Sequence, residues 1–238
     1  MIDRSKVLKT FNEQKDMIDD ITNHGIEINR KSYFKLHFTD KAGNPVSGAK
    51  IKIKQKQHDF KFGANIFKLG CFDNDTDNAK YEEIFRELFN YATAPFYWDS
   101  FEPENGKMRF DKNSPFIDRR PPSELVVEYC QKHNIQIKGH CLFWLLMLPQ
   151  WLPDTFDEIK PFLLRRMDEI AKRYDGIIES FDIVNEMTYH SPTFGELPPN
   201  VVQARRKKCI DENYTEWIFK AAEKYFCSTK FNINEANQ

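Results

Sequence analysis

The spacing of hydrophobic side chains changes along the chain, and the first two spacings belong to a small N-terminal region. Residues 5–23 carry apolar side chains at helical intervals, which predicts an amphipathic helix stopped by Gly25. Residues 33–57 alternate apolar and polar side chains around a Gly-Asn-Pro turn at positions 43–45. This alternation predicts a β-hairpin with one solvent-exposed face. We therefore expect residues 1–58 to form an appendage of one helix and one small hairpin.

From about residue 60 onward, short apolar runs alternate with segments of helical spacing. The pattern predicts five strands, at Phe60–Phe67, Tyr91–Trp98, Ile135–Leu142, Glu179–Glu186 and Lys230–Ile233. It also predicts helices between them, at 78–90, 121–133 and 161–174 and around Trp217. Repeated strand–helix units of this length favour a parallel sheet with helical crossovers, so the predicted fold class is α/β. We assign residues 59–238 to this larger domain.

The fourth predicted strand carries the first candidate catalytic residue. Phe181, Ile183 and Val184 form an apolar run that ends abruptly in Asn185 and Glu186. A buried parallel strand has this character, with polar residues gathered at its carboxyl end. In β/α barrels that end carries the active-site side chains. A carboxylate that follows an amide there suits a general acid beside a hydrogen-bond donor, so Glu186 is the candidate acid.

Other predicted strands also end in residues that suit a carbohydrate site. Trp98 lies at the end of the second strand, His140 and Trp144 lie at the end of the third, and Glu235 follows the fifth. A flat sugar face stacks on indole, and sugar hydroxyls pair with amide and imidazole groups. Taken singly, a tryptophan at a strand end fits core packing, and a histidine beside glycine fits a structural role. Four such ends in one sheet favour a binding site for a polysaccharide or oligosaccharide.

Composition and charge mainly exclude classes of partner and of site. The 238 residues have a formal charge of −1, which gives no sign of nucleic acid or an anionic membrane as a partner. No apolar run reaches the roughly 20 residues that span a bilayer, and the N-terminus lacks the apolar core of a signal peptide. Five cysteines and six histidines are scattered without metal-ligand spacing. This favours core packing or free thiols over a disulfide framework or zinc site, so we expect no metal and no cofactor.

Six segments resemble, in chain order, the motifs of glycoside hydrolase family 10, the xylanase-like family. The fourth strand is similar to its D-V-V-N-E acid/base strand, and the third to its G-H-x-L-x-W. The six matching segments are Phe62–Ala64, Trp98–Pro103 with Gly106 (W-D-x-x-E-P-x-x-G), Gly139–Trp144, Pro149–Trp151, Asp182–Glu186 and Asn232–Asn237. Together they cover about residues 60–238.

The resemblance implies a (β/α)8 barrel of the TIM-barrel type and a retaining, endo-acting glycoside hydrolase. Its substrate would be a β-linked plant-type polysaccharide, xylan or a related glycan. By this resemblance Glu186 is the general acid/base, Asn185 binds the sugar 2-hydroxyl, and His140 and Trp144 line the subsite of cleavage, with Trp98 also binding substrate. In retaining enzymes the acid and the nucleophile lie roughly 5–5.5 Å apart. The resemblance further implies a secreted or periplasmic protein.

The chain departs from the family pattern in two places. The family carries its nucleophile on strand seven in a T-E-x-D motif, whereas only about five strands are predicted here. We therefore expect the barrel to be completed by a missing C-terminal segment or by a second chain, and this chain alone to be inactive. The family's second strand also carries the motif E-N-x-M-K-W. This chain lacks the Glu, Asn and Lys of that motif, and Phe96 and Tyr97 precede its Trp98. The alternative is a non-catalytic carbohydrate-binding or scaffold protein on the same fold.

Overall fold

The computed structural model describes residue 6 and residues 8–56, 58–187 and 213–235. The chain divides into two compact units, Met1–Lys56 and Gln57–Gln238. No described helix is long and apolar enough to cross a membrane.

The described part of the first unit contains helices α1 (Lys9–Glu13) and α2 (Lys15–Asn29), neither of which has a buried residue. The predicted stop at Gly25 is wrong, because α2 continues to Asn29. A Cβ added at Gly25 would meet no atom within 4 Å, so this glycine lies in a helix without packing demands. Since helix propensity differs by only about 1 kcal/mol between glycine and alanine, a single glycine need not end a helix.

The predicted hairpin is also wrong for the described residues. Residues 31–56 contain one antiparallel bridge, between Thr39 and Pro45, and no strand. The turn itself lies where the sequence predicts it, with Asp40 Oδ1 accepting from the backbone N–H of Asn44 at 2.9 Å. The alternating apolar side chains remain in solvent, and Phe34 is 72% exposed. An alternating pattern forms a stable hairpin only when one of its faces is buried.

The described residues of the second unit form one parallel sheet of five strands. They are β1 (Gly63–Asn65), β2 (Tyr91–Pro95), β3 (Gln136–Phe143), β4 (Ser180–Asn185) and β5 (Lys230–Asn234). Their order in the sheet is their order in the chain, and every neighbouring pair is parallel. The prediction of an α/β fold with the organisation of an incomplete β/α barrel is confirmed. The first and second strands are shorter than predicted, ending at Asn65 and Pro95.

The strands are connected by helices and by a 3-10 turn at Leu145–Met147. The helices are α3 (Asp75–Leu88), α4 (Trp98–Phe101), α5 (Ser123–Lys132), α6 (Phe156–Tyr174) and α7 (Tyr214–Ala222). Two helices begin earlier than predicted. Asn74, rather than Asn78, caps α3 by accepting from Asp77 N at 2.8 Å. Thr155 caps α6, so that Pro161 lies inside the helix instead of opening it.

Strand β4 is the centre of the core. All six of its residues are buried, and its Phe181 packs against Phe96 with ring centroids 4.9 Å apart. The neighbouring strand carries Gly139, where an added Cβ would lie 2.2 Å from the Phe181 ring. A glycine is therefore required at this position for β3 and β4 to approach, and this pairing sets the positions of the residues at their carboxyl ends.

Candidate active site

The ends of β3 and β4 bring two predicted site residues into direct contact. Trp144 Nε1 donates to Oε2 of Glu186 at 3.0 Å. The backbone of Glu186 has φ 54°, and its N–H donates to Asn234 O at 2.7 Å. A left-handed backbone is uncommon for a residue other than glycine, and such residues are concentrated at functional sites. The chain therefore turns sharply at the end of β4 and directs Glu186 towards the indole of Trp144.

Asn185 connects β4 to β5 at the same level. It is buried, and its Oδ1 accepts a hydrogen bond from Asn234 Nδ2. The amide oxygen of Asn185 is the acceptor in this bond, so the amide NH2 group is the part of the side chain that can donate to a ligand. A donor of this kind, next to Glu186, is what the predicted contact to a sugar hydroxyl requires.

His140 is oriented by a buried carboxylate on the adjacent strand. Its Nδ1 lies 2.7 Å from Oδ2 of Asp182, which also receives Lys138 Nζ at 2.8 Å. Asp182 is 1% exposed. Burial raises the pKa of Asp182, but the hydrogen bonds from His140 and Lys138 outweigh it, and the pKa lies below its usual value. An ionised Asp182 accepts the Nδ1 proton of His140, which leaves Nε2 as the nitrogen available to a ligand.

Tyr97 belongs to the same group of side chains, although sequence reasoning did not select it. Its ring meets His140 edge-on at 5.1 Å and Trp144 at 5.6 Å between centroids. Together with Phe67 and Cys141 it forms a small hydrophobic cluster separate from the main core. Burial, and then the nearby Cys141, raises the pKa of Tyr97 to about 12, so the phenol is neutral. One sequence feature could have pointed to Tyr97, because it stands at the position where the family pattern has lysine.

Trp98 does not join this group. Its side chain is 1% exposed, and its Nε1 donates to Oε2 of Glu102 at 3.0 Å. The predicted contact between Trp98 and substrate therefore has no structural support, because β2 ends at Pro95 and α4 turns the indole into the core. Glu102 is itself fully buried, accepts from Gly106 N at 2.7 Å and pairs with Arg165. The W-D-x-x-E-P-x-x-G segment thus stabilises the loop that follows β2.

Across residues 8–56, 58–187 and 213–235, no three His, Cys, Asp or Glu side chains are grouped so as to hold a metal ion. The polar side chains at the strand ends are instead paired with one another. What they can offer a ligand is a carboxyl group at Glu186, an imidazole at His140, an amide at Asn185 and the aromatic surface of Trp144. This set suits a hydroxylated ligand and acid/base chemistry.

Comparison with known proteins identifies several similar ones. The family model described as Glycosyl hydrolase family 10 matches residues 52–238. Endo-1,4-beta-xylanase 2 of Arabidopsis thaliana is 27% identical over 172 residues, which are 69% of this chain and 15% of that protein. Anti-sigma-I factor RsgI6 of Acetivibrio thermocellus is 25% identical over 222 residues, 90% of this chain and 25% of that protein. The chain thus spans a quarter or less of these two relatives.

Solved structures show the same fold. A GH10 structure from Paenibacillus barcinonensis superposes with a TM-score of 0.57 at 22% identity, covering 74% of this chain and 51% of that one. Xylanase 10B from Thermotoga petrophila RKU-1, in complex with xylobiose, superposes with a TM-score of 0.55 at 24% identity, covering 74% and 49%. The chain corresponds to about half the length of these solved chains.

Proposed function

Because the chain belongs to glycosyl hydrolase family 10, we propose that it carries the acid/base part of a retaining, endo-acting glycoside hydrolase for xylan or a related β-linked glycan. Glu186 is the general acid/base in this proposal. The observation that carries it is the Trp144–Glu186 hydrogen bond at the end of β4. It joins a carboxyl group to the aromatic surface on which a sugar would stack. The xylanases among its relatives support the choice of substrate.

In this proposal the two oxygens of Glu186 have different roles. An indole N–H can only donate, so Oε2 accepts from Trp144, and we propose that the catalytic proton is carried by Oε1. In the first step this proton passes to the glycosidic oxygen as the bond to the anomeric carbon breaks. The carboxylate left behind then takes a proton from the water that releases the sugar.

The neighbouring residues hold the substrate during these steps. Asn185, through its amide NH2, donates to the 2-hydroxyl of the sugar at the cleavage point. His140, held at Nδ1 by Asp182, presents Nε2 to another hydroxyl. A second carboxylate, roughly 5–5.5 Å from Glu186, must form the glycosyl-enzyme intermediate. We assign none of the described carboxylates to that role, and we propose that the complete barrel supplies it.

The test is hydrolysis of xylans, glucans and aryl β-glycosides by the full-length protein and its Glu186→Gln variant. We expect the variant to lose on the order of 10²–10⁴-fold in kcat on substrates with poor leaving groups, which need protonation, and much less on activated aryl glycosides. The control is Glu104→Gln, which alters an exposed glutamate paired with Lys107. Equal activity of Glu186→Gln and the parent protein would remove Glu186 from the mechanism.

A second candidate is a protein that binds glycan without cleaving it. Tyr97 favours this reading, because it stands where the family pattern has lysine and packs against Phe67 instead of offering a charge. RsgI6, which matches 90% of this chain, carries the name of an anti-sigma factor. Saturable binding of xylo-oligosaccharides by the full-length protein, with no release of reducing sugar at any pH, would select this candidate.

A further inference from the structure

Arg120 lies against the aromatic cluster beside the candidate site. Its guanidinium carbon is 4.2 Å from the centre of the Tyr97 ring and 5.6 Å from that of Phe67. Its Nη1 donates to the carbonyl oxygen of Arg119 at 2.9 Å. Arg119 has φ 59°, a left-handed backbone that is uncommon for arginine. The loop between α4 and α5 thus bends sharply and sets a half-exposed cation on the face of Tyr97.

Arg120 differs in what it binds from four other arginines among the described residues of this unit. Arg109 and Arg166 are buried and donate to backbone carbonyls, while Arg165 and Arg173 pair with glutamates. Within the part of the chain that the structure describes, no carboxylate lies within 4 Å of the Arg120 guanidinium. Its Nη1 is held by the backbone, which leaves the Nε and Nη2 hydrogens along one edge. That edge has the geometry for a two-point contact with a carboxylate.

The position of Arg120 relates it to the candidate acid. The Tyr97 ring that it covers touches Trp144, and Trp144 is bonded to Glu186. The charges of Arg120 and Glu186 both act on the pKa of the Tyr97 phenol. Two aromatic rings in contact, Tyr97 and Trp144, therefore connect Arg120 to the candidate acid, which places Arg120 beside the site rather than at the proposed point of cleavage. The family pattern has a lysine at position 97, and here the cation comes from a different loop.

We propose that Arg120 is a specificity-determining residue that binds the carboxylate of a uronic acid carried by the glycan. The proposal rests on the function proposed above and narrows its substrate to acidic, branched glycans. A guanidinium stacked on tyrosine is oriented before the ligand arrives, so little side-chain entropy is lost on binding. A neutral xylan has no carboxylate to offer, and the proposed preference is therefore for the acid form.

The experiment measures binding by calorimetry with the full-length protein carrying Glu186→Gln, which prevents turnover. The probes are a linear β-1,4-xylo-oligosaccharide, the same oligosaccharide with one glucuronic acid branch, and the methyl ester of that branched compound. We expect the oligosaccharide with the glucuronic acid branch to bind more tightly than its methyl ester. When Arg120→Gln is combined with Glu186→Gln, binding of the acid form should weaken about 10- to 100-fold. Affinity for the linear oligosaccharide should remain unchanged, and Arg120→Lys should retain part of the preference.

The matched control is Arg173→Gln, since Arg173 also lies 4.2 Å over an aromatic ring, that of Phe110, but on α6. It should leave all three affinities unchanged. Equal binding of acid and ester, or a preference that survives Arg120→Gln, would overturn the role of Arg120 while leaving the proposed function in place. Equal weakening of all three probes would show a structural role and overturn it too. If no probe binds the parent protein, both proposals fail.

Discussion

Trp144 and Glu186 are joined by a hydrogen bond of 3.0 Å from the indole nitrogen to the carboxyl Oε2. The bond connects the ends of two neighbouring strands, whose register pairs Phe143 with Val184. It exists because Glu186 leaves the strand with a left-handed backbone, which turns its side chain towards β3. Trp144 therefore orients the candidate acid, and in the proposed function the same residue also contacts the sugar.

Replacing Trp144 with phenylalanine tests this orientation. Trp144→Phe keeps an aromatic ring and removes the N–H, so the carboxyl group loses one fixed donor. Hydrogen bonds to charged groups contribute about 1.5–3 kcal/mol, which predicts a loss of kcat of roughly 10- to 150-fold on xylan. Steady-state kinetics of the full-length protein measure it. Trp217→Phe, on α7, is the control, and an equal loss in both variants would contradict the assignment.

Trp98 should behave in the opposite way, because it lies in the core. Trp98→Phe removes the donor to the buried Glu102 and leaves that carboxylate partly unsatisfied. We expect the free energy of unfolding to fall by about 1–3 kcal/mol, with oligosaccharide affinity unchanged at temperatures where the variant is folded. Urea denaturation and calorimetry measure the two quantities. A variant with full stability and reduced affinity would restore the role in binding that the sequence predicted.

The Asp182 carboxylate should make stability depend on pH in the acid range. Burial opposes the ionised form, but His140 and Lys138 outweigh it and lower the folded-state pKa of Asp182. Its contribution to the free energy of unfolding is therefore complete above the unfolded value of about 3.9. It is lost as the pH falls through the lower, folded value. Urea titrations of the parent protein and Asp182→Asn should differ at pH 6 and converge towards pH 2.

The loss of unfolding free energy in Asp182→Asn depends on the burial of the ion pair between Asp182 and Lys138. Removing one partner of a buried ion pair costs about 3–5 kcal/mol, and we expect Asp182→Asn to lie near the lower end because Lys138 is partly exposed. Asp168→Asn is the control, since it breaks an exposed pair with Lys172 that solvent screens and that should change the free energy of unfolding much less. A difference between parent and Asp182→Asn that does not change with pH would contradict the assigned pKa.

Gly139 should tolerate no side chain. In Gly139→Ala the new methyl group would lie 2.2 Å from the Phe181 ring, so the strands or the ring must shift. Overpacking of this kind costs about 1–3 kcal/mol or more. Phe181→Leu, combined with Gly139→Ala, should recover part of the loss, as a double-mutant cycle in urea would measure. Gly25→Ala is the control, because the added methyl group meets no atom and should not destabilise the protein. Strictly additive losses of unfolding free energy at positions 139 and 181 would contradict the proposed clash.

The alternation of apolar and polar residues determined the order of the elements in the larger unit. The third, fourth and fifth strands lie within a residue or so of their predicted bounds. The fourth is buried throughout, so the apolar run of a buried parallel strand located it directly. The helix at Ser123–Lys132 also follows its Pro-Pro-Ser signal. Element starts were less accurate. Asn74 and Asn78 are equally good capping residues, and only the packing of the preceding loop decides between them.

The grouping of Glu186, Asn185, His140 and Trp144 was also predicted from the sequence, because parallel strands bring their carboxyl ends to one edge. Tertiary structure alone decided which way each side chain faces. Trp98 turns inward because a helix begins directly after β2, and Tyr97 faces His140 for the same reason. Arg120 contacts the Tyr97 ring from a loop that no local pattern describes. Periodicity reports which residues share a face of one element, whereas contacts between loops depend on how separate elements pack.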